Sequence, residues 1–234
     1  MKLTYNFYEL LPGVFLAEIF DPHDLAMTFW RAQEFYESSN PKFQGGVFTQ
    51  CEYMSWYAKK MSDIDTFTYS DDWCGFNLPS QVIEKCYEMH TERNEYDRFF
   101  LGLNANIRQY MKGEPYYLLG ARKGDTDTLD HELAHGLFAT NSEYREHMLE
   151  LVHALPELKY EKLAKLIHKI GYAKSVCDDE IQAYLATGLA WNMKKADFED
   201  LRKPFKKMFK HYCKHWTLPK PVLKKGVIDL KALV

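Results

Sequence analysis

The sequence predicts an α+β fold in which helices dominate and a small sheet precedes the central helix. Its 234 residues fit one large domain or two small ones, and 46% hydrophobic with 27% charged residues is ordinary globular composition. Strand-like segments occur at residues 14–20 and 116–120. Helical spacing of apolar residues, punctuated by N-cap residues and prolines, accounts for nearly all of the second half of the chain.

The first predicted elements are a strand followed by a helix. Residues 14–20 are expected to form a short strand because turn residues bound them on both sides. Asp21 and Pro22 suit the cap and the first turn of a helix that continues to about residue 38, with apolar side chains at helical spacing.

The region that follows is rich in aromatic residues and harder to interpret. A helix near residues 49–61 followed by loops is predicted, and then a long helical stretch over residues 79–112. Gly102 and Asn104 are candidate interruptions of that stretch. The segment at residues 73–77 receives no functional interpretation.

The second half of the chain is predicted to be helical behind a single strand at residues 116–120, which is rich in aromatic and aliphatic side chains. No linker separates two independent domains. We therefore predict one catalytic domain over residues 1–234, with two lobes at about residues 1–140 and 141–234. The helices of this half are expected at residues 127–139, 142–155, 157–170, 176–192 and 204–216.

Charge and cysteine content limit the class of protein. The formal net charge of −3 gives no overall positive potential that would attract nucleic acid, and the sequence contains no nucleic-acid-binding module. The five cysteines are odd in number and lack CxxC spacing, which favours reduced thiols and a cytoplasmic protein. Asn6 and Glu9 interrupt the apolar run that a signal peptide needs, and no stretch of 18 apolar residues predicts a transmembrane segment.

Residues 131–135 carry the motif HExxH on a predicted helix. Residues i and i+4 lie on one helical face, so His131 and His135 can both reach one Zn²⁺ through nitrogen at about 2.0–2.1 Å. Glu132 then lies beside the metal, where it can take a proton from a zinc-bound water. Zinc lowers the pKa of that water to about 7.

The helix that carries the motif is expected to be buried. Leu129, Leu133 and Leu137 form one apolar stripe, and the two histidines continue a second apolar arc beside it. Buried imidazoles need partners, which favours metal ligation over two histidines that face solvent.

An HExxH helix behind a strand resembles the zincin metallopeptidases. The metzincin pattern HExxHxxGxxH fails, because Phe138 and Asn141 stand where it requires Gly and His. The gluzincin pattern takes its third ligand from a Glu on a later helix. Glu180, followed three positions later by Ala183, is similar to that pattern and to regulatory metallopeptidases of the ImmA/IrrE kind. The resemblance covers about residues 116–187.

The resemblance implies that Zn²⁺ is held by His131, His135 and Glu180. Asp178 and Asp179 stay open as alternatives for the third ligand, although acids in the first turn of a helix also complement its dipole. Further competitors on the intervening helix are Glu143, Glu146, His147, Glu150 and His153.

The resemblance also implies supporting roles. An acid, Asp130 or Asp179, is expected to orient one ligand imidazole. Tyr184 is a candidate to stabilise the oxyanion. The strand at residues 116–121 is expected to be an edge strand that holds an extended substrate by main-chain hydrogen bonds.

The function expected from these residues is that of a zinc metallopeptidase with Glu132 as general base and a peptide or protein as substrate. One alternative is a zinc-binding sensor or regulatory protein without turnover. The other is an interaction module that uses the basic C-terminal helix, since residues 192–234 carry 12 Lys/Arg against four Asp/Glu. That helix would present one aromatic face and one face of lysines.

Overall fold

The computed structural model describes residues 2–60, 65–194, 198–213 and 217–233. About 60% of the chain is helical and the strands form one five-stranded mixed sheet, so the α+β prediction is confirmed. The strands are β1 Lys2–Leu11, β2 Val14–Ile19, β3 Gly75–Pro79, β4 Tyr117–Arg122 and β5 Leu223–Asp229. The helices are α1 Pro22–Glu37, α2 Gln50–Lys60, α3 Tyr69–Asp72, α4 Ser80–Met89, α5 Glu95–Tyr110, α6 Thr126–Thr140, α7 Ser142–His153, α8 Glu157–Lys169, α9 Cys177–Thr187, α10 Trp191–Lys194 and α11 Arg202–Tyr212.

The longer helices agree with the sequence prediction except in three places, and the short helix α3 lies where loops were predicted. The stretch at residues 79–112 is two helices, α4 and α5, and the break lies before Asn94 rather than at Gly102 or Asn104. Asn94 starts a new helix because its side chain and that of Asp97 form a reciprocal capping box. Helix α9 ends at Thr187, since Gly188 adopts an extended conformation. Helix α11 ends at Tyr212, where Cys213 is its C-cap, and so stops before the predicted end at residue 216. Residues 61 and 216 themselves lie outside the described residues.

The sheet has the strand order β3-β4-β2-β1-β5. β2 and β4 run parallel at its centre, and β3 pairs antiparallel with β4. The expectation that residues 116–121 form an edge strand was therefore wrong, because β4 has a hydrogen-bonded neighbour on each side. The edge strands are β3 and β5, and β3 is the one beside α6.

The two faces of the sheet bury different cores. On β2 and β4, Phe15 and Leu118 face a core built with α1 and α5, while Leu16 and Leu119 face a core built with α6 and α9. This alternation follows from the two-residue period of a strand. The central strands are thus buried on both faces, and α6 packs directly on one of them.

The basic helix α11 packs by its aromatic face. Phe205 and Phe209 are buried in the core that contains α9, and Lys203, Lys207 and Lys210 are exposed. Within the part of the chain that the structure describes, no helix has both the length and the apolar composition that crossing a membrane requires.

Candidate metal centre

Helix α6 is fixed between the sheet and α9. Asp125 caps it by accepting a hydrogen bond of 3.1 Å from the backbone N–H of Thr128. Gly136 packs against β2, where an added Cβ would lie 3.0 Å from Val14. α9 runs beside α6 and buries Ala183 completely. Close packing on both sides sets the position of every side chain that α6 turns toward α9.

His131, His135 and Glu180 form a group that could hold a metal ion, and these three residues are called the metal group below. The two Nε2 atoms lie 3.2 Å apart, and the Glu180 oxygens lie 3.5 Å from Nε2 of His135 and 3.8 Å from Nε2 of His131. Ligand atoms at 2.0–2.2 Å from a tetrahedral metal lie about 3.3–3.6 Å from one another. The spacing of the three side chains is close to that of a coordinated set.

Glu180 gives the strongest indication that this group suits a cation. The side chain is 0% exposed, and neither carboxylate oxygen has a hydrogen-bond partner among the described residues. Burial is the main cause that raises its pKa to about 8; the nearby His135 lowers it in part, and the charge of Asp179 raises it by less than His135 lowers it. A buried carboxylate without a partner is costly, and a metal ion between Glu180 and the two imidazoles would remove that cost. The residues present therefore fit a metal ion.

Both imidazoles are oriented from behind through Nδ1. Nδ1 of His135 lies 2.9 Å from a carboxylate oxygen of Asp179, and Nδ1 of His131 lies 3.3 Å from the hydroxyl of Thr187. A proton on each Nδ1 leaves the Nε2 lone pair free for a metal. Asp130, the other acid considered for this role, is exposed.

Asp179 is itself held by a short chain of hydrogen bonds. Gln182 donates to Asp179 at 3.0 Å, and the hydroxyl of Tyr144 donates to Gln182 at 2.9 Å. Asp178 points elsewhere, toward Tyr160 and His153. Neither aspartate belongs to the group that could hold the ion, and neither do the competitors on α7.

The carboxylate of Glu132 lies against strand β3. Its Oε2 accepts a hydrogen bond of 3.0 Å from the side-chain amide of Asn77, whose oxygen accepts one of 2.6 Å from Tyr117. A Cβ at position 75 would collide with Oε1 of Glu132, so only Gly75 allows this approach. Burial raises the pKa of Glu132 above its ordinary value. Glu132 is thus placed beside the metal group without joining it.

Sequence reasoning missed Gly75, Asn77 and Tyr117 as parts of this site. Gly75 and Asn77 fall in the aromatic segment that the sequence left uninterpreted. The one available signal was a glycine next to alternating buried residues, which can mark a strand with a close neighbour.

Two tyrosines cover the metal group. The ring of Tyr184 lies 4.5 Å from the ring of His131, and Tyr172 lines the same cleft. Burial raises the pKa of both phenols well above the ordinary value, so both remain hydrogen-bond donors at neutral pH. The structure places Tyr184 beside the site, as the sequence suggested, and adds Tyr172.

A cleft of about 660 Å³ opens onto His131 and Glu132. Trp191, which is 72% exposed, lines this cleft together with Leu189. In the wall of the cleft, the ring of Trp73 meets that of Tyr172 edge-on at 5.4 Å. The aromatic residues that line the cleft are Tyr57, Trp73, Tyr172, Tyr184 and Trp191.

The chain was compared with protein-family models, with curated proteins and with solved structures. None of the three comparisons finds a match. The candidate metal centre is therefore described by its own geometry: a His/His/Glu group, a buried carboxylate beside it and a cleft that reaches both.

Proposed function

We propose that this protein is a zinc-dependent metallopeptidase. The observation that carries the proposal is the carboxylate of Glu180, which is fully buried, lacks a hydrogen-bond partner among the described residues and lies 3.5–3.8 Å from two imidazole nitrogens. A group in that state needs a cation, and the two imidazoles are oriented to share it.

Zinc is the metal that suits this donor set best. Two imidazole nitrogens and one carboxylate, with a fourth position open to a cleft, are the ligands of a recurrent kind of catalytic zinc site. When bound there, zinc would polarise a carbonyl and lower the pKa of water to about 7. His131, His135 and Glu180 would hold it.

Glu132 is the general base of the proposed reaction. Its carboxylate takes a proton from the attacking water and delivers that proton to the leaving nitrogen as the peptide C–N bond breaks. The hydrogen bond from Asn77 fixes one oxygen, which leaves Oε1 for the proton transfer. Tyr184 and Tyr172 supply hydroxyl donors near the oxygen that becomes negative.

The cleft supports a peptide substrate. A volume of about 660 Å³ accommodates several side chains, and the aromatic walls bury apolar groups. All five cysteines are free thiols, which is in keeping with action in the reducing cytoplasm.

Elemental analysis followed by a peptide-library assay tests the proposal. We expect one zinc per chain and hydrolysis that Glu132→Gln reduces by about 10²–10⁴-fold without loss of zinc. Zinc binding with no hydrolysis of any peptide would instead favour the sensor or regulatory protein. Absence of zinc binding would refute the metal site altogether.

A further inference from the structure

A second, smaller cavity lies behind Glu132. Its volume is about 20 Å³, and it shares Trp73, Gly75, Glu132 and Tyr172 with the main cleft. One water-sized group needs about 10–15 Å³, so the cavity has room for a single small polar group and none for a side chain. The C-terminal half of α1 closes it. The cleft therefore ends in a closed pocket on this side of Glu132.

Three buried carboxylates line the closed pocket. Glu34, Glu37 and Glu132 are 5–8% exposed, and none of them forms an ion pair with a Lys, Arg or His side chain among the described residues. Oε2 of Glu37 accepts a hydrogen bond from Gln33, whereas Oε1 has no hydrogen-bond donor in the described parts of the chain. Carboxylates that line a cavity favour a ligand that brings hydrogen-bond donors, preferably with positive charge.

The edge of β3 is blocked at the same place. The backbone N–H of Asn77 points away from β4 and donates to Oε1 of Gln33 at 3.1 Å, while the amide nitrogen of the same Gln33 side chain donates to Glu37. An extended chain that pairs with β3 from Gly75 onward therefore loses its next main-chain partner and meets α1. The backbone geometry, independently of the charges, indicates that a bound chain ends here.

We propose that the closed pocket binds the α-ammonium group of a substrate and that the protein is an aminopeptidase, an inference that rests on the proposed metallopeptidase function. An ammonium offers three donors in the volume of one water, and Glu34 and Glu37 on α1 supply its carboxylate acceptors, while Oε1 of Glu132 is kept for the proton transfer. A free carboxylate end has no hydrogen-bond donor to offer to these oxygens, so it suits the pocket less well than an ammonium.

The position of the pocket determines which bond is cut. One residue spans at most about 3.3–3.6 Å of extended chain, so an ammonium beside Glu132 presents the first peptide bond to the metal group. Hydrolysis adds the water oxygen to the carbonyl carbon and moves a proton to the leaving nitrogen. The products are one amino acid with a new carboxylate and a peptide with a new free amino end, which can bind in turn.

Calorimetric binding to the zinc-loaded Glu132→Gln variant tests the pocket without turnover. The probes are one peptide with a free amino end and the same peptide N-acetylated. We expect the free peptide to bind at least tenfold more tightly, and we expect a further Glu37→Gln change to abolish that difference. Asp24→Asn is the matched control, because Asp24 is a buried carboxylate on the same helix, 13 residues and about 20 Å away. Equal binding of the two peptides overturns the proposal.

Hydrolysis of the same two peptides by the wild-type protein distinguishes a failure of the aminopeptidase inference from a failure of the proposed metallopeptidase function. Release of the first residue from the free peptide alone supports both. Cleavage of the acetylated peptide at internal bonds supports the metallopeptidase and overturns the aminopeptidase. Tighter binding of the free amine without any hydrolysis supports the ammonium pocket and refutes the peptidase function.

Discussion

Asp179 accepts a hydrogen bond from Nδ1 of His135 at 2.9 Å, one residue before the proposed metal ligand Glu180. Two adjacent acids on α9 thus contact opposite nitrogens of one imidazole: Asp179 contacts Nδ1 of His135, and Glu180 lies 3.5 Å from its Nε2. The arrangement depends on the rotation of about 100° per residue in an α-helix, which points the two neighbouring side chains in different directions.

Replacing Asp179 with alanine should weaken zinc binding by about 10–100-fold, because the imidazole of His135 loses the partner that fixes its orientation and its tautomer. Competition with a zinc chelator of known affinity measures the change. Asp178→Ala is the control, since Asp178 bonds to Tyr160 and His153 instead. Equal losses in the two variants would show that Asp179 has no special role.

Replacing Glu180 with glutamine should have opposite effects with and without metal. In the metal-free protein at pH 9, above the pKa of about 8, the wild-type carboxylate is ionised and buried, and neither of its oxygens accepts a hydrogen bond from a described residue. We expect the neutral variant to be more stable there by about 1–3 kcal/mol. Zinc should raise the unfolding temperature of the wild type and leave that of the variant nearly unchanged. Stabilisation of both proteins by zinc would place the third ligand elsewhere.

Replacing Gly75 with alanine should impair catalysis through Glu132. The new Cβ would collide with the Glu132 carboxylate and with the methyl group of Thr128, so the general base must move. We expect kcat to fall at least tenfold while zinc content stays the same. Gly102→Ala is the control, because a Cβ there meets no atom within 4 Å and replaces glycine within a helix. The same activity in both variants would contradict the role of Gly75.

Glu34 should make stability depend on pH. Burial raises the pKa of its carboxyl group from 4.5 to about 7, although hydrogen bonds from Tyr69 and Tyr53 lower it in part. Between those two values the folded protein binds more protons than the unfolded chain, so the free energy of unfolding falls as pH rises, by up to about 3 kcal/mol in all. Above pH 7 this contribution is constant.

Urea unfolding of the wild type and of Glu34→Gln at a series of pH values measures that slope. We expect the difference between the two proteins to grow in favour of the variant from pH 4.5 to 7. Parallel curves over that window would mean that Glu34 titrates normally in the folded state.

The metal group was accessible to sequence analysis because its signals are local. His131 and His135 are one helical turn apart, and Asp125 marks the start of that helix in the sequence. Glu180 required one further assumption, that α9 returns beside α6. The chemistry of the residues and the length of the connecting chain were enough for that.

The surroundings of Glu132 were not accessible in this way. Asn77 and Glu132 are 55 positions apart, and the strand that joins them spatially has only five residues. Whether β4 is an edge or an internal strand depends on β3, whose own sequence has no long apolar alternation. Strand order is a property of the whole sheet, so a local pattern could not supply it.

The other missed strands have physical explanations of their own. β1 contains Asn6, which is buried because it bonds to Glu18 on the neighbouring strand. β5 is mostly exposed and carries lysines, so it lacks the apolar face that usually identifies a strand. β1 and β5 pair with each other although they lie more than a hundred residues apart in the chain, and β1 also has the buried contact between Asn6 and Glu18. A short sequence window contains neither of these interactions.

The three proposed ligands differ in how far solvent can reach them. The side chain of His131 is 15% exposed, that of His135 is 1% exposed and that of Glu180 is 0% exposed. Among the described residues, His131 is therefore the proposed ligand that solvent reaches from the cleft, and we expect an ion to enter and leave past it. If metal exchange and substrate binding use the same opening of the cleft, a bound peptide should slow the loss of zinc to a chelator in solution.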